Sequence, residues 1–181
     1  MGRNEKKWVM RHPISALKIR KIKERCDPIY FNIKKNPFLE AMGLDKFENG
    51  GKLDAFRHVF YSAAFASRVK KEKVIKLGIA HEKDNRLDFL VNKKEDSELA
   101  DSISCEMDLL NNKVGVELAR TFKRKETLQL ISEMCTDHIK NGNGYFIKRD
   151  EKGNYLQCDG TLISLDDYKG KWYIPKCLIQ K

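Results

Sequence analysis

The sequence predicts a mainly α-helical, compact domain of about five helices, closed by a small C-terminal β-hairpin. Three observations predict it. Apolar residues recur at helical spacing through most of residues 13–140. Gly and Pro clusters such as "ENGG" and "NGNG" punctuate those stretches. After residue 143 the pattern changes to alternation about a turn. The chain has 181 residues, enough for one domain with a real core, and its 41% hydrophobic and 34% charged content is that of a globular protein. We therefore expect a single domain over 1–181, with core helices at about 49–140 and a β appendage at about 144–177.

The first predicted helix is "HPISALKIRKIKERC", opened by Pro13, whose missing N–H costs nothing at an early helical position. Ala16, Ile19, Ile22 and Cys26 share one face; Lys18, Arg20, Lys21 and Lys23 fill the remainder. Residues 27–51 read as irregular, interrupted by Pro28, Pro37 and "ENGG", with a short helix at 38–42. A central helix covers about 52–70 and a second stretch about 72–81. Residues 83–97, "KDNRLDFLVNKKEDS", are polar and turn-rich and read as a loop. A long helix follows at about 98–123 and another at about 126–140, which stops at "NGNG". "GYFIKRDEKGNYLQCDG" then reads as a hairpin turning at "DEKG", and "KWYIPKCLI" adds a short extended piece.

The net charge is +10, carried mostly by Lys interleaved with Glu and Asp. That is the signature of a solvated surface, and Arg, which suits bidentate phosphate contacts, is the minority. Nucleic-acid binding through the Lys-rich first helix is carried as an alternative function. The five Cys, at 26, 105, 135, 158 and 177, are odd in number and form no CxxC pair. Buried free thiols are expected rather than a disulfide framework or a zinc finger. No apolar run reaches membrane-spanning length, and "MGRNEKKWVMRH" has no apolar core region of a signal peptide. The expectation is a soluble protein that starts in the cytoplasm, with export by a specialised route left open.

Three helices carry polar residues that an ordinary bundle would not place there. In "DAFRHVFYSAAF", Leu53, Phe56, Val59, Phe60 and Ala63 cover one broad side, while Asp54, His58, Tyr61 and Phe65 share a narrow opposite stripe. Asp54 and His58 stand at i and i+4, so their side chains can meet, and both are expected to be at least half buried. In "GIAHE", His81 follows Val74, Leu77 and Gly78 on one face and points inward or to a cleft edge, with Glu82 beside it. In "MDLLNNKVG", Asp108, Asn111, Asn112 and Gly115 make a small polar side where Lys and Glu would fill an exposed one; close approach of another backbone or a pocket wall would explain it. His138 reads as packing near a helix C-terminus, and His12, in a start that reads as irregular, is given no role.

Together "NGGKLDAFRHVFYSAAFA", "LGIAHE" and "MDLLNNKVGVELA" resemble the successive motifs of a bacterial domain family of unknown function. That family also occurs at the C-termini of Rhs-repeat and wall-associated proteins. The resemblance covers about residues 49–119 and extends to the hairpin and tail. It implies that Asp54, Arg57, His58, His81, Glu82, Asp108, Asn111, Asn112 and Gly115 are signature positions, and its contexts imply an effector-like, toxin-like enzyme.

Bundles build sites where such sets converge between helices. The first function carried forward is a hydrolase-like domain acting on a small or polymeric substrate. Asp54, His58, His81 and Asp108 are its catalytic candidates, and Arg57, Glu82, Asn111 and Asn112 its binding candidates. Acid–base chemistry and metal assistance both fit; if a divalent metal binds, His58, His81 and Asp108 are its candidate ligands. The second function is a non-enzymatic structural or interaction domain whose polar sets form a closed, fully hydrogen-bonded network.

Overall fold

A computed structural model of the protein describes residues 1–92, 101–123 and 126–180. Among these described residues six α-helices come first: α1 (Arg3–Arg11), α2 (Pro13–Lys34), α3 (Lys52–Ala66), α4 (Lys71–Asn92), α5 (Ser102–Leu118) and α6 (Leu128–Lys140). Two short strands follow, β1 (Tyr145–Ile147) and β2 (Leu178–Gln180), paired antiparallel with Phe146 opposite Ile179. The mainly helical class with a small β appendage is thus the observed one.

Helix α3 is the axis of the molecule. Nine of its residues are buried, from Leu53 to Ala64, and α2, α4, α5 and α6 all pack against it. Its apolar side meets Tyr30 of α2 and Ile131, Cys135 and Ile139 of α6 in one core cluster. A second cluster joins Trp8 of α1, Ile19 of α2, Val74 and Ala80 of α4, and Val116 of α5. Gly115 sets the spacing between α3 and α5: a Cβ there would run into the Val59 carbonyl oxygen and come within 3.0 Å of the Ala63 nitrogen. Of the two explanations for the small polar side of α5, close backbone approach is the one found at this position.

Several local expectations are corrected. Pro28 does not end α2, which continues to Lys34 because Cys26 and Tyr30 dock onto the α3 core. An interior Pro costs a helix about 3 kcal/mol, and this apolar face offsets it. Residues 83–92 are the second half of α4 and not a loop, held by buried Asp84 and Phe89; 93–97 lie outside the described residues. The chain before His12 is helical, as α1, and residues 38–42 are turns. The turn at Asp150–Gly153 forms as read, but β1 takes its partner from the chain's last residues, and the returning arm of the hairpin makes only isolated bridges such as Arg149–Tyr155. Cys158 and Cys177 form a disulfide, so two of the five thiols are not free; Cys26, Cys105 and Cys135 are free and buried. The disulfide was not legible because its two Cys come together only when the tail folds back along the hairpin.

Candidate functional site

Helices α3 and α5, brought close by Gly115, place Asp54, His58 and Asp108 side by side. One donor atom from each lies within 4.8 Å of the others. His58 Nε2 is 3.1 Å from Asp108 Oδ1 and 3.6 Å from Asp54 Oδ1. Arg57, on the next position of α3, turns Nη2 into the same space; it pairs with Asp54 Oδ1 at 2.5 Å and donates to His58 Nε2 at 3.1 Å. The other Asp54 oxygen accepts the Gly50 N–H at 2.7 Å, so the glycine turn that delivers the chain into α3 also fixes this carboxylate.

The imidazole is oriented from behind. Asn112 Oδ1 accepts from Ser62 Oγ at 2.7 Å and lies 3.3 Å from His58 Nδ1. That contact assigns the ring proton to Nδ1 and leaves the Nε2 lone pair toward Asp54, Arg57 and Asp108. Gly78 of α4 makes room for this arrangement, since a Cβ there would crowd Asn112 Nδ2 at 2.9 Å.

Burial sets the protonation. It pushes the His58 pKa down to about 3, with the adjacent Arg57 charge acting in the same direction, so the ring is neutral near pH 7. It raises Asp54 to about 6, opposed by Arg57 and by the Gly50 N–H. Asp108 is raised well above the usual carboxylate range, first by burial and then by Asp54 and Glu82. Asp108 Oδ1 and Glu82 Oε1 are buried atoms with no hydrogen-bond donor among the described residues, and Asp54 Oδ1, also buried, is met by the Arg57 guanidinium. Such atoms are few in native proteins, and a catalytic role, a bound ion or an ordered water is what accounts for them in many cases.

The cluster opens onto a cleft of about 830 Å³. Its walls include Lys46 and Phe47 from the turn before α3, Ser104 of α5, and Arg149, Tyr155 and Lys176 from the appendage. The appendage wall is stiff. Arg149 is sandwiched between the rings of Phe47 and Tyr155 and donates to the carbonyls of Asn49 and Gly153. Lys176 lies over Tyr155 and forms a buried ion pair with Asp101, which also caps α5. A second cavity, about 620 Å³ between α2 and α6, is lined by Ile29, Met42, Ser132 and Thr136 among others and by no His.

The sequence candidates divide in this geometry. Asp54, Arg57, His58, Asp108 and Asn112 come together. His81 does not join them: its side chain is 51% exposed at the cleft rim, where Nδ1 pairs with Glu5 of α1 at 2.8 Å. The face it occupies on α4 is covered by α1, which the sequence reading left irregular. Glu82 is buried behind the cluster and accepts from Asn85. Asn111 is fully buried and turned away. Its amide accepts the Tyr145 N–H and donates to the Tyr145 carbonyl, so it fastens β1 to α5 as a strand neighbour would. Sequence reasoning missed Ser62, Asp101, Arg149, Tyr155 and Lys176. Only Asp101 carried a signal, as an N-cap residue ahead of an apolar-periodic run.

The protein is therefore a helical domain with a carboxylate–imidazole–guanidinium centre at the floor of an open cleft. The chain belongs to the family described as Domain of unknown function (DUF6973), whose family model matches residues 6–143. That match includes the whole centre; Arg149, Tyr155 and Lys176 of the cleft wall lie beyond it. No curated protein and no solved structure matches the chain.

Proposed function

We propose that this domain is a hydrolase-like enzyme whose reacting centre is Asp54, His58 and Asp108. One observation carries the proposal: a buried Asp54 and the half-buried His58 and Asp108, groups able to move a proton or bind a cation, stand within 4.8 Å of one another and open onto a cleft. Water is activated at this cluster. Arg57, 37% exposed and already turned toward it, stabilises the negative charge that develops on the substrate. Asn112 and Ser62 hold the imidazole in its working tautomer, and His81 meets substrate at the rim. Phosphodiester, lipid and cell-wall bonds are the substrate classes that suit a polar cleft with this centre. The Cys158–Cys177 disulfide supports an exported, effector-like role, because disulfides persist in oxidising compartments.

A closed structural network fits less well, since it would satisfy its own polar atoms and leave no cleft beside them. The nucleic-acid alternative is weakened by the pairing of Arg20 with Glu24 and Lys23 with Asp27 on α2 itself. The test is a panel of phosphodiester, lipid-ester and peptidoglycan substrates, run with the wild type and with His58→Gln and Asp108→Asn. Turnover of one class that both variants lose while keeping their circular dichroism spectra supports the proposal. Failure on every class, with a large fall in the melting temperature of His58→Gln, would return His58 to a packing role.

A further inference from the structure

We propose that Asp54, His58 and Asp108 form a mononuclear site for a divalent transition-metal ion of the Zn2+ or Mn2+ kind, with its open coordination positions facing the cleft. The inference rests on the hydrolase reading only in naming the agent that activates water there; the site itself stands on geometry.

The spacing of His58 to each carboxylate fits an ion. Ligand atoms about 2.0–2.2 Å from one ion lie roughly 3.0–3.6 Å from each other in octahedral or tetrahedral arrangements. His58 Nε2 lies 3.1 Å from Asp108 Oδ1 and 3.6 Å from Asp54 Oδ1. One imidazole and two carboxylates are a donor set that Zn2+ and Mn2+ both accept.

Two of the three ligands are also held on their far side, as metal ligands commonly are. The His58 Nδ1–H is directed at Asn112, which Ser62 holds in turn, so the ring already presents Nε2. Asp54 Oδ2 is tied to the Gly50 N–H, which aims Oδ1 into the cluster.

The third observation is what the cluster lacks. Asp54 is nine-tenths buried, both its Oδ1 and that of Asp108 are closed to solvent, and Asp108 Oδ1 has no hydrogen-bond donor among the described residues. The positive charge nearest them is Arg57 Nη2, which leans on both Asp54 Oδ1 and His58 Nε2. A guanidinium in that place marks where the cluster attracts a cation. Arg57 is partly exposed at the cleft, so it can withdraw and leave the edge it covers to an ion.

The full-length protein, stripped with EDTA and dialysed, is titrated calorimetrically with Zn2+ and with Mn2+. The expected result is one ion per chain with low-micromolar affinity. Asn112→Ala should weaken it by about 10–100-fold, as loss of an outer-shell partner does. His58→Gln and Asp108→Asn should weaken it at least as much, and Arg57→Gln should tighten it by removing the competing charge. Circular dichroism of each variant separates loss of the site from loss of the fold, and Asn112→Ala spares all three ligands. Absence of saturable binding, or binding that these substitutions leave unchanged, would overturn the site in favour of a proton shared between His58 and Asp108 or an adventitious ion only. The two proposals fail separately. Turnover that persists in EDTA with no ion bound removes the metal and keeps the hydrolase, whereas an ion bound at this site without turnover does the reverse.

Discussion

Asp84 and Asp54 are both buried carboxylates, 5% and 3% exposed, and they are treated in opposite ways by the helices around them. Asp84, on α4, sits at the N-terminus of α1. It accepts the backbone N–H of Asn4 and Glu5 and the Asn4 side-chain amide, at 2.8–3.0 Å. Burial alone would raise its pKa, but those donors outweigh burial and hold it below the usual value. A helix N-terminus is a natural seat for a carboxylate. At the α3–α5 junction Asp54 has one backbone donor and one guanidinium, Asp108 has no donor on Oδ1, and burial wins. The comparison teaches that burial does not mark a site. What marks it is burial that the protein leaves uncompensated beside open space.

Substitution should separate the two regions most sharply in activity. His58→Gln is expected to lower turnover by about 10²–10⁴-fold, the range attributed to acid–base groups, with its helical spectrum unchanged. Asp84→Ala should leave turnover within a few-fold, and equal losses from both would erase the distinction.

Stability should show the reverse order. Asp84→Ala strips the acceptor from the first turn of α1, which should cost about 1–3 kcal/mol. In a chain of this length that corresponds to a fall of roughly 3–10 °C in melting temperature. Asp108→Asn removes an ill-solvated acid and should leave the melting temperature at pH 7 equal to or above wild type, while abolishing turnover. A drop as large as that of Asp84→Ala would mean that Asp108 is satisfied after all.

Their pH dependences should carry opposite signs in metal-free buffer. Asp54 titrates in the fold at about 6, above its ordinary 3.8. The folded state therefore holds the extra proton between those values, and this group's contribution is lost as pH rises from about 4 to about 6. Asp108 acts in the same direction. Asp84 is depressed, so its contribution is present above pH 4 and lost as pH falls below it. His58, at about 3 against an ordinary 6.5, also loses stability on acidification and masks the Asp54 trend. Denaturant titrations of His58→Gln should unmask a fall in stability between pH 4 and 6, and Asp108→Asn in that background should flatten it. A curve that rises over this range would refute the assignment.

The smallest effect is expected at His81, half exposed and paired with Glu5. Exposed pairs contribute about 0–1 kcal/mol. His81→Gln should change stability by no more than that and turnover by less than about tenfold, below the acid–base scale above. A loss equal to that of His58→Gln would place His81 in the reacting centre.

Much of this was legible before folding. A helix with apolar residues on one broad side and Asp54 and His58 on the other had almost no solvent face left, so both were expected to be at least half buried, and they are. The small polar side of α5 likewise pointed to a close backbone or a pocket wall, and at Gly115 it is the backbone of α3. What stayed hidden depended on partners far along the chain. Nothing within "MDLLNN" distinguishes Asn112, which orients His58, from Asn111, which fastens β1; one helical step of about 100° sends them to different neighbours. Nothing in "GIAHE" says that α1 will take up His81. The continuity of α2 through Pro28 and of α4 past residue 83 was hidden too, because packing overrode local propensity.

The sequence by itself determined a helical domain, a central helix with almost no face for water, and three sets of polar residues out of place in a core. Those follow from periodicity and residue chemistry, which are local. The tertiary structure decided which sets meet: α3 with α5 at a cleft floor, His81 drawn off to α1, Asn111 spent on a strand, and two distant Cys joined in the appendage. Convergence is a matter of helix crossing and chain return, and these are set by packing across the whole molecule rather than by any one stretch of it.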